Sequence, residues 1–204
     1  MSTATARTLP AGPQPANRNS LVMGTAAVCA AGTMLMFGML AVWFKFRDAS
    51  PLRVGRNNKM IHDWLPADLK IPEVATNTLA ITMAIAAIMG QWAVYSATRK
   101  DAQHTTLALF ITGLIGVAAI NAQVAIYKQM GAVLADGAYQ TMFYAITGTM
   151  LVLICTGVAF SLVAAFRVLG GRVADRAVVT AHAMYWYFLT TAFTALWFVV
   201  YVQK

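Results

Sequence analysis

Five stretches of this chain are long enough to cross a bilayer, and none of them contains an Asp, Glu, Lys or Arg: residues 21–44, 77–97, 105–127, 140–166 and 177–202. Crossing the hydrocarbon takes about 20 apolar residues in a helix. Backbone N–H and C=O groups find no water at that depth, so each span must satisfy them internally, as a helix does. The alternation expected of a membrane β-barrel is absent. The sequence therefore predicts an all-α membrane protein, a bundle of five transmembrane helices. Composition agrees, with 59% hydrophobic and 11% charged residues, where a soluble domain carries about a quarter charged.

The polar residues divide the chain. Residues 1–20 hold Pro10, Pro13 and Pro15 and read as a disordered tail without a cleavable signal peptide. Residues 21–204 read as one transmembrane domain. Residues 45–76 form the one long connection, with Pro51, Pro66 and Pro72 and the acids Asp48, Asp63, Asp68 and Glu73. Trp64 within it reads as an interfacial anchor. The remaining loops are short, so neighbouring helices run antiparallel.

The net charge of +8 sits in loops beside apolar runs. Anionic lipid headgroups are the partner this implies, and nucleic acid is not. The short loops "TRKDAQH" and "RVLGGRVADR" concentrate basic residues next to span ends, which favours an N-in, C-out topology with loop 45–76 outside. Arg99, Lys100, Arg167 and Arg172 are the candidates for phospholipid headgroups. Lipid is expected between a helix pair formed by spans one and two and a group formed by spans three to five.

Ionisable groups inside a membrane mark ion sites and proton relays. Their absence here argues against an ion-coupled transporter and against a resident metal or haem. His62 lies in the long loop and His104 at the mouth of span three. Only His182 enters a span, where it reads as a packed or headgroup-facing side chain rather than a ligand. Cys29 and Cys155 lie within apolar runs and read as small hydrophobes. The neutral polar residues Asn77, Gln91, Asn121, Gln123 and Thr190 read as interhelical contacts. A polar groove for a lipid or quinone is the other reading of Asn121 and Gln123. Small residues such as Gly24, Gly38, Gly113, Gly116 and Gly157 let helices approach closely. The residues thus describe a close-packed bundle without chemistry of its own, the kind that serves a larger assembly. A small independent transporter or channel is the competing class.

Five segments carry a resemblance: "GTAAVCAAGTMLMFGMLAVWF", "WLPADLKIPEVATNTLAITMAIAAIMGQWAVYSATRKD", "GVAAINAQVAIY", "DGAYQTMFYAITG" and "YWYFLTTAFTALWFVVYV". In this order and with these loop lengths, the chain resembles subunit III of the haem-copper oxidases (cytochrome c and quinol oxidases). It is similar to the five-helix form of actinobacterial and quinol-oxidase complexes, from about residue 19 to the end. The resemblance implies a multi-pass protein of the bacterial inner (plasma) membrane, with N-in, C-out topology. It implies a non-catalytic accessory subunit that packs against subunit I, holds phospholipid and supports proton uptake and stable turnover. It also implies that haem and copper belong to the partner subunit and none to this chain. A nitric-oxide reductase, another membrane redox complex, or a transient assembly factor are the alternative settings.

The departures from the family pattern are systematic. The family's membrane Glu of the first span falls at Gly32, and the Glu of its Q-x-x-E-Y pattern at Ile126. The two His of H-G-x-H-V fall at Met150 and Leu153. In the last span the His falls at Tyr187 and the Asp at Thr190. Six titrating positions are neutral here.

Overall fold

The computed structural model describes residues 20–54, 60–66, 69–134, 136–171 and 176–203. The tail through residue 19 and Arg172 lie outside the described residues. Five long helices cross the bundle: α1 (Ser20–Asp48), α2 (Glu73–Thr98), α3 (Ala102–Met130), α4 (Ala138–Leu169) and α5 (Arg176–Leu196). A π-helical turn, Trp197–Val202, continues α5 to the end of the last span. All five are long and apolar enough to cross a membrane. The helices overrun the apolar runs because a helix that leaves the hydrocarbon keeps its hydrogen bonds in the headgroup region. Lys45 and Arg47 sit in the last turn of α1, where the helix dipole favours positive charge.

The caps follow from local chemistry. Asp101 caps α3 by accepting the backbone N–H of His104 at 3.1 Å, the usual use of a carboxylate at that position. Gly131 ends α3 with φ of 59°, a left-handed residue in which glycine carries no Cβ penalty.

The all-α membrane bundle is found, with one small addition in a loop. In the long loop, β1 (Leu52–Val54) pairs antiparallel with β2 (Met60–His62), with Arg53 opposite Ile61. The exposed Arg53–Asp63 pair at 3.1 Å braces this hairpin. The loop then folds back over the bundle. Trp64 does not face headgroups as an anchor would. It is 6% exposed, and its ring lies 5.1 Å from Trp43 and 5.6 Å from Tyr139. Apolar ring area buries better against two other rings than against hydrated headgroups.

The helix order in space departs from the expected grouping. α2 packs mainly on α3 and α5, and α3 on α2 and α4, while α5 lies against α1, α2 and α4. Among the described residues, spans one and two do not form a pair. α1 is the outlying helix, held chiefly by α5. Close approach at the centre depends on glycine. A Cβ at Gly116 would meet Val158 Cγ2 at 2.6 Å and Trp186 Cη2 at 2.7 Å. Packing of this kind is the main force between helices in lipid, where apolar burial alone gives little.

Candidate functional site

Hydrogen bonds between spans converge on α5. Thr190 Oγ1 donates to the Met83 carbonyl of α2 at 2.9 Å. Tyr187 donates to Gln91 Oε1 at 2.7 Å, also on α2. Tyr185 donates to the Leu153 carbonyl of α4 at 3.0 Å. Beyond α5, the π turn carries Trp197, whose Nε1–H reaches Asn77 Oδ1 at 3.1 Å. Tyr201 meets Gln123 of α3 at a long 3.4 Å. Four of the five expected polar residues therefore lie against another span. Asn121 is different: it is exposed on α3 and makes no hydrogen bond among the described residues.

The most enclosed polar group is a network the sequence did not disclose. Ser161 Oγ donates to the Gly157 carbonyl at 3.0 Å. It accepts Trp186 Nε1–H at 3.1 Å and lies 2.7 Å from His182 Nε2. A serine hydroxyl has one proton, already used on Gly157, so Nε2 must be the donor. His182 is then neutral with the proton on Nε2, and its Nδ1 is a bare lone pair. That nitrogen is buried without a partner. The other tautomer would strand an N–H there, which is costlier than a stranded acceptor. His182 is thus packed, one of the two placements the sequence left open. Ser161 and Trp186 went unrecognised because nothing in a linear sequence shows that α4 and α5 bring them together.

The six departures have structural counterparts. A Cβ at Gly32 would fall 2.6 Å from Phe188 Cζ, so the Phe188 ring fills the space a side chain would take. Ile126 is 0% and Met150 2% exposed, both within the core. Leu153 contributes its carbonyl to Tyr185, and Tyr187 and Thr190 make the short neutral bonds given above. Charged carboxylates at the buried positions would need partners, and none of the apolar neighbours offers one.

Two surface features remain. An apolar groove of about 350 Å³ lies between α1 and α5, lined by Cys29, Thr33, Met36, Phe37, Tyr187 and Phe188 among others. At the opposite end from the hairpin, helix ends gather the cations. Arg99 follows α2, with its guanidinium 4.4 Å above the Tyr95 ring. Lys100 is exposed in the next turn. Arg167 is half-buried in the last turn of α4. Arg176 opens α5 and donates to the Thr98 carbonyl at 3.0 Å. Beside them the exposed Asp101–His104 pair closes at 2.7 Å. Hydrogen bonds from His104, its backbone N–H first, hold the Asp101 carboxyl below the usual carboxylate range.

The family model of cytochrome c oxidase subunit III matches residues 14–204. The chain belongs to the cytochrome c oxidase subunit III family. Among curated proteins, none matches it. Membership makes the chain a subunit-III-like member of a haem-copper oxidase, part of a complex with other subunits, and a multi-pass membrane protein.

Proposed function

We propose that this protein is a non-catalytic accessory subunit of a bacterial respiratory haem-copper oxidase. It packs against the catalytic subunit I, holds phospholipid and stabilises the complex during turnover. The haem and copper of the reaction belong to the partner. The observation that carries this reading is the interior. At the six positions where the family pattern has titrating residues, this chain has none: Ile126 and Met150 are buried, half-buried Thr190 bonds the Met83 carbonyl, and exposed Tyr187 bonds Gln91. Such an interior supports association, and it gives a proton no sequence of groups to occupy. Any contribution to proton uptake then comes through subunit I, whose structure this subunit supports.

The α1–α5 groove suits an acyl chain, since its walls are apolar and it opens toward the membrane. Arg99, Lys100 and Arg167 at the basic end suit phosphate headgroups. With that end on the cytoplasmic side, the positive-inside rule is met and the hairpin faces outward.

Isolation of the tagged protein from membranes in mild detergent, followed by a visible absorption spectrum, tests the reading. Haem bands that co-purify in fixed ratio are expected. A colourless preparation, with oxidase activity left intact in the flow-through and after deletion, would sink it. An assembly factor would appear instead with immature oxidase, at substoichiometric amounts. A reductase of another class would show haem bands without oxygen consumption.

A further inference from the structure

Two hollows on the membrane face of the bundle share one residue. The α1–α5 groove, about 350 Å³, runs along α1 from Cys29 to Leu40 and along α5 from Met184 to Ala195. A second hollow of about 470 Å³ lies beside α2, against Gln91, Trp92 and Tyr95. Tyr187 lines both.

Together they are deeper than one leaflet. The groove is centred on the middles of α1 and of α5 with its π turn. At about 1.5 Å per residue it straddles the midplane, reaching about 8 Å toward the basic end and about 9 Å the other way. On the same scale Gln91 lies about 8 Å and Tyr95 about 14 Å from the middle of α2, both toward the basic end. From Tyr95 to the far end of the groove is then about 23 Å, against a leaflet of about 15 Å.

The two hollows ask for different chemistry. In the groove, Thr33 donates to the Cys29 carbonyl at 2.7 Å and Thr191 to the Tyr187 carbonyl at 2.9 Å. Their protons are spent, so the groove takes hydrocarbon. The α2 hollow sets an amide among three rings. Tyr187 donates to Gln91 Oε1 at 2.7 Å, and the two Nε2 protons have no acceptor among the described residues. They suit a carbonyl oxygen, because an unpaired amide in hydrocarbon is costly. The rings of Trp92, Tyr95 and Tyr187 suit a flat ring.

Two other occupants match less well. A helix of a neighbouring subunit, about 10 Å across, displaces more than about 1,000 Å³ over the length of the groove. A phospholipid keeps its ester carbonyls at the hydrocarbon boundary, about 15 Å from the midplane, and Gln91 lies deeper. Its chains also end near the midplane, where the groove is only half filled.

We propose that the two hollows form one binding site for an isoprenoid quinone. The ring lies in the α2 hollow with a carbonyl on Gln91 Nε2, and the tail passes Tyr187 and crosses the midplane in the groove. The inference rests on the lipid-holding reading above and narrows it by naming the hydrocarbon the groove takes. Phospholipid stays with the cations at the helix ends.

The test places the complete purified chain in phosphatidylcholine nanodiscs with increasing menaquinone. Quinone rings quench indole emission on contact, so the signal is the emission lost in the chain but not in its Trp92→Phe form. Saturable quenching is expected. Gln91→Leu, and Ala30→Phe on the groove wall, should raise the half-saturating menaquinone at least tenfold. Met34→Phe, on α1 outside the groove, should leave it within twofold. Menadione, a tailless ring of the same kind, should bind at least tenfold more weakly. Three results overturn the proposal: quenching that never saturates, menadione binding as tightly as menaquinone, or displacement by phosphatidylglycerol or a polyprenyl phosphate. All three are read with Gln91 and the groove intact, so they do not depend on how those variants fold. Haem co-purification is a separate measurement. Haem bands without saturable quenching leave the oxidase reading standing and remove this one, and a colourless preparation with saturable quenching does the reverse.

Discussion

α5 and α1 are both long and apolar enough to cross a membrane, yet the bundle uses them differently. In the most apolar window, 39% of α5 is buried against 17% of α1. α5 binds α2 through Thr190 and Tyr187, and α4 through Tyr185, Trp186 and His182. The hydroxyls of Thr25 and Thr33 on α1 bond back to their own helix. Its contact with the rest is apolar, through Cys29, Met36, Leu40 and Trp43. The difference teaches that hydropathy places a helix in the membrane without placing it in the bundle. Side-chain shape and hydrogen-bond reach decide which helix becomes the hub.

The strongest way to break this comparison is to remove the hub's largest side chain. Trp186 is 0% exposed, and Trp186→Ala leaves a cavity and strips Ser161 of a donor. Destabilisation of about 3 kcal/mol is expected, measured as detergent-driven unfolding of the purified chain. Met34→Ala on α1, 77% exposed, should stay within about 0.5 kcal/mol. Equal effects would erase the distinction between the two helices.

A second, intermediate test asks where a single methyl fits. Gly116→Ala must push against Val158 and Trp186 and should cost about 1–3 kcal/mol. At Gly38, on α1, a Cβ meets nothing within 4 Å. Gly38→Ala should be neutral or stabilise by up to about 1 kcal/mol through helix propensity. Parallel thermal midpoints of the two variants settle the sign of each.

The smallest effect sharpens the comparison at the membrane surface, outside both helices. The Asp101 carboxyl is held low by His104. A depressed folded pKa stabilises above the unfolded carboxylate value, about 3.9, and that contribution disappears as pH falls through the folded value. The thermal midpoint of the wild type should exceed that of Asp101→Asn at pH 7, and the gap should close toward pH 3. High salt should shrink it as well, since the pair is exposed. A gap that widens on acidification would contradict the cap geometry.

Much of the fold was legible because hydrocarbon punishes charge and unpaired backbone without regard to tertiary detail. The five spans and the neutrality of their interiors follow from that penalty. The polar residues were legible as a set for the same reason, and Asn77, Gln91, Gln123 and Thr190 do meet other spans. Their partners were not legible. Trp197 reaches Asn77 across 120 positions and Tyr187 reaches Gln91 across 96, distances in sequence that carry no local signal. The grouping of α1 with α2 failed for a related reason. Adjacency in sequence fixes only direction, while the volumes of Gly116, Gly157 and Trp186 draw α5 into the middle and leave α1 outside.

By itself, then, the sequence determined that this protein lives in a bilayer as five helices whose interior holds no charge, because length and hydropathy are summed over each span. Only the tertiary structure decided which helix is central, that Trp64 turns inward, that Phe188 fills the space beside Gly32, and that Asn121 is left facing out. Those outcomes depend on shape matched between surfaces distant in the chain, and shape complementarity has no counterpart in a one-dimensional pattern.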